Sequence, residues 1–323
     1  MRWHIRGPVL IGMGQRSVII VEGQSAIQAY QQATRVLPVR LRREALSLPR
    51  EAQEKAEELR LRVGWPMAVR MPEGERPLGT EPVTREELDQ LVEIASRASH
   101  HAVLDQVRQG YLTVEGGHRI GLCGTAVLRE GEIHTLRSLS SACIRVARQV
   151  IGASGPVLDG LCPGGRLTDT LILSPPGLGK TTLLRDLIRR VSEGEGCESL
   201  RVSLADERGE VAALHNGCPQ LEVGRRTDVV EGCPKAKGLM LLLRAMAPQV
   251  LAVDEITDPE DVRALRTAAG CGVTLLATAH AAGREDLMRR LLYRPLLAEG
   301  LFRRIVHIRR TAEGRSYTIE ELS

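Results

Sequence analysis

The residues with the clearest chemistry are numbers 174–182, which read Ser-Pro-Pro-Gly-Leu-Gly-Lys-Thr-Thr. Gly177 and Gly179 carry no side chains, so the backbone N–H groups around them can approach an anion closely. A helical pattern begins at Lys180, and a helix N-terminus attracts phosphate through its unpaired N–H groups and its dipole. These features predict a phosphate-binding loop. The alternative is an ordinary strand–turn–helix junction with a chance Gly-Lys-Thr.

The loop matches the pattern G-x-x-x-x-G-K-[ST] except at its first position, where Ser174 replaces glycine and has less freedom at positive φ. Lys180 is expected to reach the β- and γ-phosphates of ATP, and the Thr181 hydroxyl is expected to ligate Mg²⁺. Only four of the 44 basic residues are lysines, so a lysine here indicates that a compact ammonium is required. The predicted ATP-binding residues of the loop are Ser174, Pro175, Pro176, Gly177, Leu178, Gly179, Lys180, Thr181 and Thr182.

Two carboxylates, Asp254 and Glu255, follow the apolar residues 250–253. In phosphate-loop ATPases one such carboxylate holds the Mg²⁺ shell, and its neighbour polarises the attacking water. We assign the metal role to Asp254 and the catalytic role to Glu255. Paired acids at a strand end are common on protein surfaces, so this assignment depends on the preceding phosphate-binding loop.

Polar groups follow two further apolar stretches, at 206–210 (Asp-Glu-Arg-Gly-Glu) and at 278–280 (Thr-Ala-His). In an open parallel sheet, ligands bind beyond the carboxyl ends of the strands. Glu207 and Glu210 are therefore alternative catalytic acids, and His280 is a candidate sensor of the γ-phosphate. A solvated polar loop and an ordinary strand-end histidine are the respective alternatives.

The elements that must position these residues fall into an N-terminal extension (1–36), an α+β domain (37–155) and an α/β domain (156–323). In the extension, the pattern favours a strand at 17–21 and a helix at 26–35. The α+β domain is predicted to contain helices at 50–62 and 88–98 and strands at 66–72, 111–115, 118–122 and 132–136. Two-residue turns are expected at 116–117 and 130–131, and a linker at 152–156.

Beyond the linker, strands and helices alternate, which predicts a mostly parallel sheet. The strands are predicted at 170–173, 200–205, 249–254, 272–278, 302–308 and 316–319. The helices are predicted to begin at Lys180 and to cover 238–246, 259–269 and 285–298. The polar segments 224–228 and 233–237 indicate either a phosphate or subunit contact or a solvated run of charge.

The composition of the chain bears on its cysteine chemistry, its location and its partners. The seven cysteines are scattered and lack C-x-x-C pairs, which favours buried thiols in a reducing compartment over zinc or disulfides. No stretch approaches 18 uncharged apolar residues, so we expect a soluble, cytoplasmic protein. The net charge is +4 and the basic residues are dispersed among acids, so we do not expect nucleic acid to be a partner.

Residues 170–280 resemble the secretion-ATPase branch of the phosphate-loop fold, which includes the type II and type IV pilus motors. The matching features are the acidic box at 206–207, the strand that ends in Asp254 and Glu255, and the histidine box at 278–280. Pilus motors usually carry Gly-Glu where this chain has Asp254-Glu255, and the chain lacks the tetracysteine module of some type II motors.

The chain more closely resembles the stage III sporulation protein AA family over about residues 37–310. The pattern appears at 58–64 (Glu-Leu-Arg-Leu-Arg-Val-Gly), at 174–186 with Ser174 included, at 206–210 and at 244–256. The resemblance implies a RecA-like, Mg²⁺-dependent ATPase domain with a smaller N-terminal α+β domain. It also implies a ring, expected to be a hexamer, in the mother-cell cytoplasm. Its partners would be membrane-embedded proteins that form a channel into the forespore.

The resemblance also suggests arginines that act on the nucleotide of a neighbouring subunit. In pilus motors the small domain approaches that γ-phosphate, which makes Arg119, Arg137 and Arg145 candidates, with Arg119 and Arg137 assigned as catalytic. The α/β half also offers Arg185, Arg208, Arg225 and Arg226, of which Arg185 is expected to point along its helix. With 40 arginines in the chain, a solvated or paired side chain is the alternative at each position.

Two other functions remain open on the sequence. A nucleic-acid-associated RecA-like ATPase would fit the small excess of basic residues, although aromatic residues for base stacking are scarce. A nucleotide-gated scaffold that barely hydrolyses ATP is the third possibility, and the Asp254-Glu255 pair argues against it.

Overall fold

The computed structural model describes residues 26–96, 110–311 and 314–322, which form two compact units. The N-terminal unit contains 26–96, 110–149 and 213–221, and the C-terminal unit contains 150–212, 222–311 and 314–322. The strand predicted at 17–21 and the last residues of the helix predicted at 88–98 lie outside the described residues. The helix predicted at 26–35 is confirmed.

The N-terminal unit combines helices with an antiparallel sheet. Its helices are α1 (Ala26–Ala33), α2 (Val39–Leu46), α3 (Arg50–Lys55) and α4 (Arg85–Ser96). Its strands are β1 (Glu58–Arg62), β2 (Pro66–Met71), β3 (Gly74–Pro82), β4 (Tyr111–Val114), β5 (His118–Arg129) and β6 (Glu132–Arg145). The strands lie in the order β3-β2-β1-β6-β5-β4. Buried aliphatic residues from the sheet and the helices share one core.

The helix predicted at 50–62 is wrong in its second half. Helix α3 ends at Lys55, and residues 58–62 form β1 between β2 and β6. Leu59 and Leu61 are fully buried, whereas their neighbours in the strand are half-buried or exposed. This period of two matches a strand that covers a core with one face, and it outweighs the helix-forming tendency of the charged residues.

The predicted hairpin at 111–122 exists, but its turn is not the two-residue turn at 116–117. Val114 pairs with His118, so the loop contains Glu115, Gly116 and Gly117. The turn at 130–131 is confirmed, because Arg129 pairs with Glu132. The strands on either side of it are much longer than predicted, since they continue as a ribbon beyond the buried part of the sheet.

The C-terminal unit is built on a mostly parallel sheet, as predicted. Its strands are β7 (Thr170–Ser174), β8 (Val202–Asp206), β11 (Thr227–Glu231), β12 (Val250–Val253), β13 (Thr274–His280), β14 (Arg304–Thr311) and β15 (Gly314–Glu321). Its helices are α5 (Gly155–Leu161), α6 (Lys180–Glu193), α7 (Lys235–Ala245), α8 (Pro259–Gly270), α9 (Arg284–Arg289) and α10 (Arg294–Ala298). The remaining strands, β9 (Leu214–His215) and β10 (Cys218–Pro219), pair with each other within the N-terminal unit.

Two predicted boundaries in the C-terminal unit are wrong. The helix predicted at 285–298 is two short helices, α9 and α10, because Pro295 lacks an N–H and suits the first turn of a new helix. The predicted linker at 152–156 is a fixed turn that leads into α5. Its Gly152 and Ser154 N–H groups donate to the buried carboxylate of Asp186, at 3.0 and 2.8 Å.

The order of strands decides which residues meet. The sheet runs β11-β8-β12-β13-β7-β14-β15, and all neighbours are parallel except β14 and β15. Strand β13 therefore separates β7, which leads into the loop predicted to bind phosphate, from β12, which leads into Asp254 and Glu255. Because the carboxyl ends of parallel strands lie at one edge, the loop, the two acids and His280 are gathered there.

Candidate nucleotide-binding site

The loop between β7 and α6 has the backbone that an anion cradle requires. Gly177 and Gly179 have φ values of +76° and +97°, which side chains other than glycine rarely tolerate. Ser174 has no positive φ, because it is the last residue of β7. Its hydroxyl donates to the carbonyl of Pro175 at 2.8 Å. The replacement of glycine by Ser174 therefore costs this turn nothing in backbone strain.

Lys180 is a buried cation whose hydrogen-bond acceptors are all neutral. The residue is 6% exposed. Its Nζ lies 3.2 Å from the Ser174 carbonyl oxygen and 2.8 Å from Nδ1 of His280. Burial lowers the pKa of Lys180, and the nearby charges of Asp254 and Glu255 oppose that shift. A bound anion would give this ammonium a direct ionic partner, which none of its hydrogen-bond acceptors provides.

Asp254 accepts two hydroxyl hydrogen bonds. The Thr181 hydroxyl donates to Oδ2 at 2.7 Å, and the Thr278 hydroxyl donates to Oδ1 at 2.6 Å. Thr278 thus connects β13 to the end of β12 and orients the carboxylate towards Thr181 of the loop. A hydroxyl and a carboxylate at this distance are the oxygen donors that Mg²⁺ takes from a protein beside the phosphates of a nucleotide. The residues present therefore fit Mg²⁺ and ATP.

The backbone of Glu255 is strained, and its carboxylate contacts two other side chains. Its φ is +55°, in the left-handed region, and its N–H donates to the Thr278 hydroxyl at 2.8 Å. Its carboxylate lies 3.1 Å from Nε2 of His280 and 3.6 Å from Nη1 of Arg208. Because Lys180 donates to Nδ1, the histidine carries its proton on Nε2 and donates it to Glu255. His280 therefore links the loop lysine to the acid after β12.

Asp206, the first residue of the acidic box, holds a loop in place. It is 2% exposed and accepts hydrogen bonds from the N–H groups of Glu210, Val211 and Ala212. Burial raises the pKa of Asp206, while these three N–H groups act in the opposite direction. Arg185, expected to point along its helix, instead donates to the carbonyls of Glu210 and Val211 at 2.6 Å each. The loop after β8 is thus fixed to α6.

Glu207, one of the alternative catalytic acids, engages a different partner. Its carboxylate lies 2.7 Å from Nζ of Lys235, which is buried and also donates to the Thr257 hydroxyl at 3.0 Å. Lys235 lies 3.9 Å from Asp261, whose carboxylate caps the start of α8. The structure therefore brings Glu255, rather than Glu207, into contact with His280.

The three arginines predicted to act across a subunit boundary all lie on the N-terminal sheet. Arg119 on β5 has its guanidinium 3.8 Å from the centre of the Tyr111 ring. Arg145 on β6 lies 3.6 Å from the Glu58 carboxylate. Arg137, also on β6, is exposed. Their action on a neighbouring subunit remains a prediction.

The structure assigns positioning roles that the sequence reasoning missed. Arg185 and Asp186 are buried on α6, where one holds the acidic loop and the other holds the turn before α5. Polar residues on the buried face of an amphipathic helix were the available signal. Lys235 had a different signal, since lysine is rare in this chain.

The comparison with known proteins decides the family. The family described as "Sporulation stage III, protein AA" matches residues 27–320. Stage III sporulation protein AA of Bacillus subtilis (strain 168) is 36% identical over 276 residues, covering 85% of this chain and 89% of that protein. The chain belongs to the stage III sporulation protein AA family. A plant relative, SEEDLING PLASTID DEVELOPMENT 1 of Arabidopsis thaliana, is 27% identical over 79% of this chain and 34% of its own length.

Solved structures show the fold of this family member. The pilus retraction motor PilT with bound ADP has a TM-score of 0.59 and 19% identity, covering 84% of this chain and 81% of that one. The ATPase DotB of Yersinia pseudotuberculosis has a TM-score of 0.58 and 14% identity, covering 98% and 86%. The predicted fold, a RecA-like domain with a smaller N-terminal α+β domain, is confirmed.

None of the helices in the described ranges combines the length and apolar composition that a bilayer crossing requires.

Proposed function

We propose that this protein is a Mg²⁺-dependent ATPase that drives a secretion-like membrane complex of sporulation. One observation carries the proposal. A buried lysine whose hydrogen-bond acceptors are all neutral begins the helix after a glycine turn, and it lies beside a Thr181–Asp254 pair and a His280–Glu255 pair at one sheet edge. Membership of a sporulation family and the RecA-like fold support the biological setting.

Each side chain has a distinct task in this proposal. Lys180 and the N–H groups of the loop hold the phosphate chain, and Thr181 and Asp254 hold Mg²⁺, which supplies charge neutralisation when bound. Glu255 orients and polarises the attacking water. His280, hydrogen-bonded to both Lys180 and Glu255, reports whether a γ-phosphate occupies the loop. Glu207 is held by Lys235 and is the second candidate for the acid.

The family also motivates a proposal for assembly and location. We propose that the protein forms a ring, expected to be hexameric, in which Arg119 or Arg137 completes the site of a neighbour. It would act in the mother-cell cytoplasm and reach the membrane through channel-forming partners. An arginine supplied in this way stabilises charge on the transferred phosphoryl group and contributes about 10³-fold or more in rate.

Lys180→Ala tests nucleotide binding. We expect Mg-ATP affinity to fall by about 100-fold or more, because the loop would hold a tetra-anion without its principal cation. Titration calorimetry measures the affinity, and Lys237→Ala, which removes an exposed lysine of the same unit, is the control. Equal affinities for the two variants would contradict the loop assignment.

The alternative function, a nucleic-acid-associated ATPase, has its own test. ATP turnover that rises when single-stranded DNA is added, with a steep dependence on salt, would favour that alternative.

A further inference from the structure

The hairpin of β14 and β15 places two arginines side by side. Arg310 and Arg315 are directly opposite each other in the antiparallel register, and both are exposed. No ion pair to either guanidinium occurs among the described residues. Like charges directly opposite each other destabilise a pair of strands. Within the described residues, no carboxylate pairs with either guanidinium, so both present their charge to solvent and to any nearby anion.

The two arginines share a face of the sheet with the core beneath the phosphate-binding loop. Ile308 pairs with Tyr317, and both side chains pack in the hydrophobic cluster of helix α6. Because side chains alternate along a strand, Arg310 and Arg315 extend the row formed by these residues. Leu178 of the phosphate-binding loop packs against the same cluster.

Arg315 lies against the loop itself. A β-carbon at Gly179 would be 3.4 Å from Cζ and 3.5 Å from Nη1 of Arg315. The guanidinium therefore occupies the space beside the residue that precedes Lys180, where a β-carbon would touch it. Strand β14 runs parallel to β7 and continues to Thr311, so its last residues extend past the point where β7 enters the loop.

We propose that Arg315, backed by Arg310, is a second cationic ligand for the phosphate chain of the nucleotide held by residues 174–182. This inference rests on the proposed nucleotide-binding function. A guanidinium presents a planar fork of donors that matches two phosphate oxygens. Binding of the polyphosphate also relieves the repulsion between the paired arginines. The hairpin thus supplies a cation in the same subunit, on the opposite side of β7 from β13.

Arg309 provides a matched control for this inference. It neighbours Arg310 on β14, but alternation places it on the opposite face of the sheet. There it lines a separate cleft with His307 and Glu320. Arg309→Ala removes one positive charge from the same hairpin without touching the row that faces the loop.

The test compares Arg315→Ala, Arg310→Ala and Arg309→Ala by titration calorimetry with two probes, Mg-ATP and inorganic tripolyphosphate. We expect Arg315→Ala to lower the affinity for both probes by about 10-fold or more, because a charge-assisted hydrogen bond to phosphate is lost. Arg310→Ala should weaken both less, and Arg309→Ala should leave both unchanged. Equal affinity for Arg315→Ala and Arg309→Ala would overturn the inference and leave the proposed function intact. Wild-type protein that binds neither probe would overturn the proposed function.

Two further readouts separate a phosphate ligand from other roles. If Arg315→Ala weakens Mg-ATP but not tripolyphosphate, the side chain acts on the nucleoside, and the assignment to phosphate is wrong. Thermal unfolding without nucleotide should show Arg315→Ala at least as stable as wild type, since one of two like charges is removed. A clear loss of stability would show that Arg315 supports the fold instead of the ligand.

Discussion

At the scale of single residues, the backbone of Glu255 is the most informative detail of the site. A non-glycine residue in the left-handed region costs about 1–3 kcal/mol, and such strain persists only where the surroundings hold it. Here the N–H of Glu255 is held by the Thr278 hydroxyl, and its carboxylate is held near His280. This conformation accompanies a carboxylate that contacts His280, the residue whose other ring nitrogen contacts Lys180.

Substitution of Glu255 by glycine and by alanine tests that strain. We expect Glu255→Gly to be more stable than Glu255→Ala by about 1 kcal/mol, because glycine adopts positive φ without a steric penalty. At Arg263, which is exposed within helix α8, the order should reverse by a similar amount. Urea unfolding measures all four variants. If Glu255→Ala is as stable as Glu255→Gly, the backbone at position 255 is not strained.

At the scale of elements, a buried lysine connects three segments of the C-terminal unit. Lys235 begins α7, its ion pair with Glu207 reaches the loop after β8, and its hydrogen bond with Thr257 reaches the loop after β12. Asp261 completes the group from the first turn of α8. These contacts fix the two acidic loops relative to each other and keep Glu207 away from His280.

Lys235→Met tests this connection. We expect the free energy of unfolding to fall by about 2 kcal/mol, since the substitution leaves Glu207 and Asp261 without their shared cation. This loss of stability is smaller than that usual for breaking a buried ion pair, because Glu207 is partly exposed. Lys237→Met, in the same turn of the helix but exposed, should change stability by less than about 0.5 kcal/mol. Equal denaturant midpoints for the two variants would contradict the role of Lys235.

Elements were predictable where one local signal dominated. The tight turn after β7, the helix that follows it and the apolar strands of the C-terminal unit were evident from glycine spacing and hydrophobic runs. Strand β1 was mistaken for helix because its charged residues favour a helix, while pairing with β2 and β6 decides its structure. The break between α9 and α10 could have been placed from Pro295.

At the scale of the whole molecule, the sequence suggested a parallel sheet but not its order. Strand β13 lies between β7 and β12, and this position lets the Thr278 hydroxyl donate to Asp254. No local sequence pattern shows which strands are neighbours. Membership of residues 213–221 in the N-terminal unit is likewise a long-range property. Contacts of this kind depend on tertiary packing, which also explains why Arg185, Asp186 and Lys235 were missed as positioning residues.

We propose that ATP is hydrolysed at this sheet edge, with Glu255 activating the water. The measurement that tests it most directly is steady-state ATP turnover of Glu255→Gln, accompanied by its Mg-ATP affinity and by Glu207→Gln as a comparison. We predict that Glu255→Gln binds Mg-ATP within about 2-fold of wild type. Its turnover should fall by roughly 10²-fold or more, because the amide keeps the shape and loses the charge that orients water. Near-normal turnover of Glu255→Gln, with the loss appearing in Glu207→Gln instead, would contradict the account.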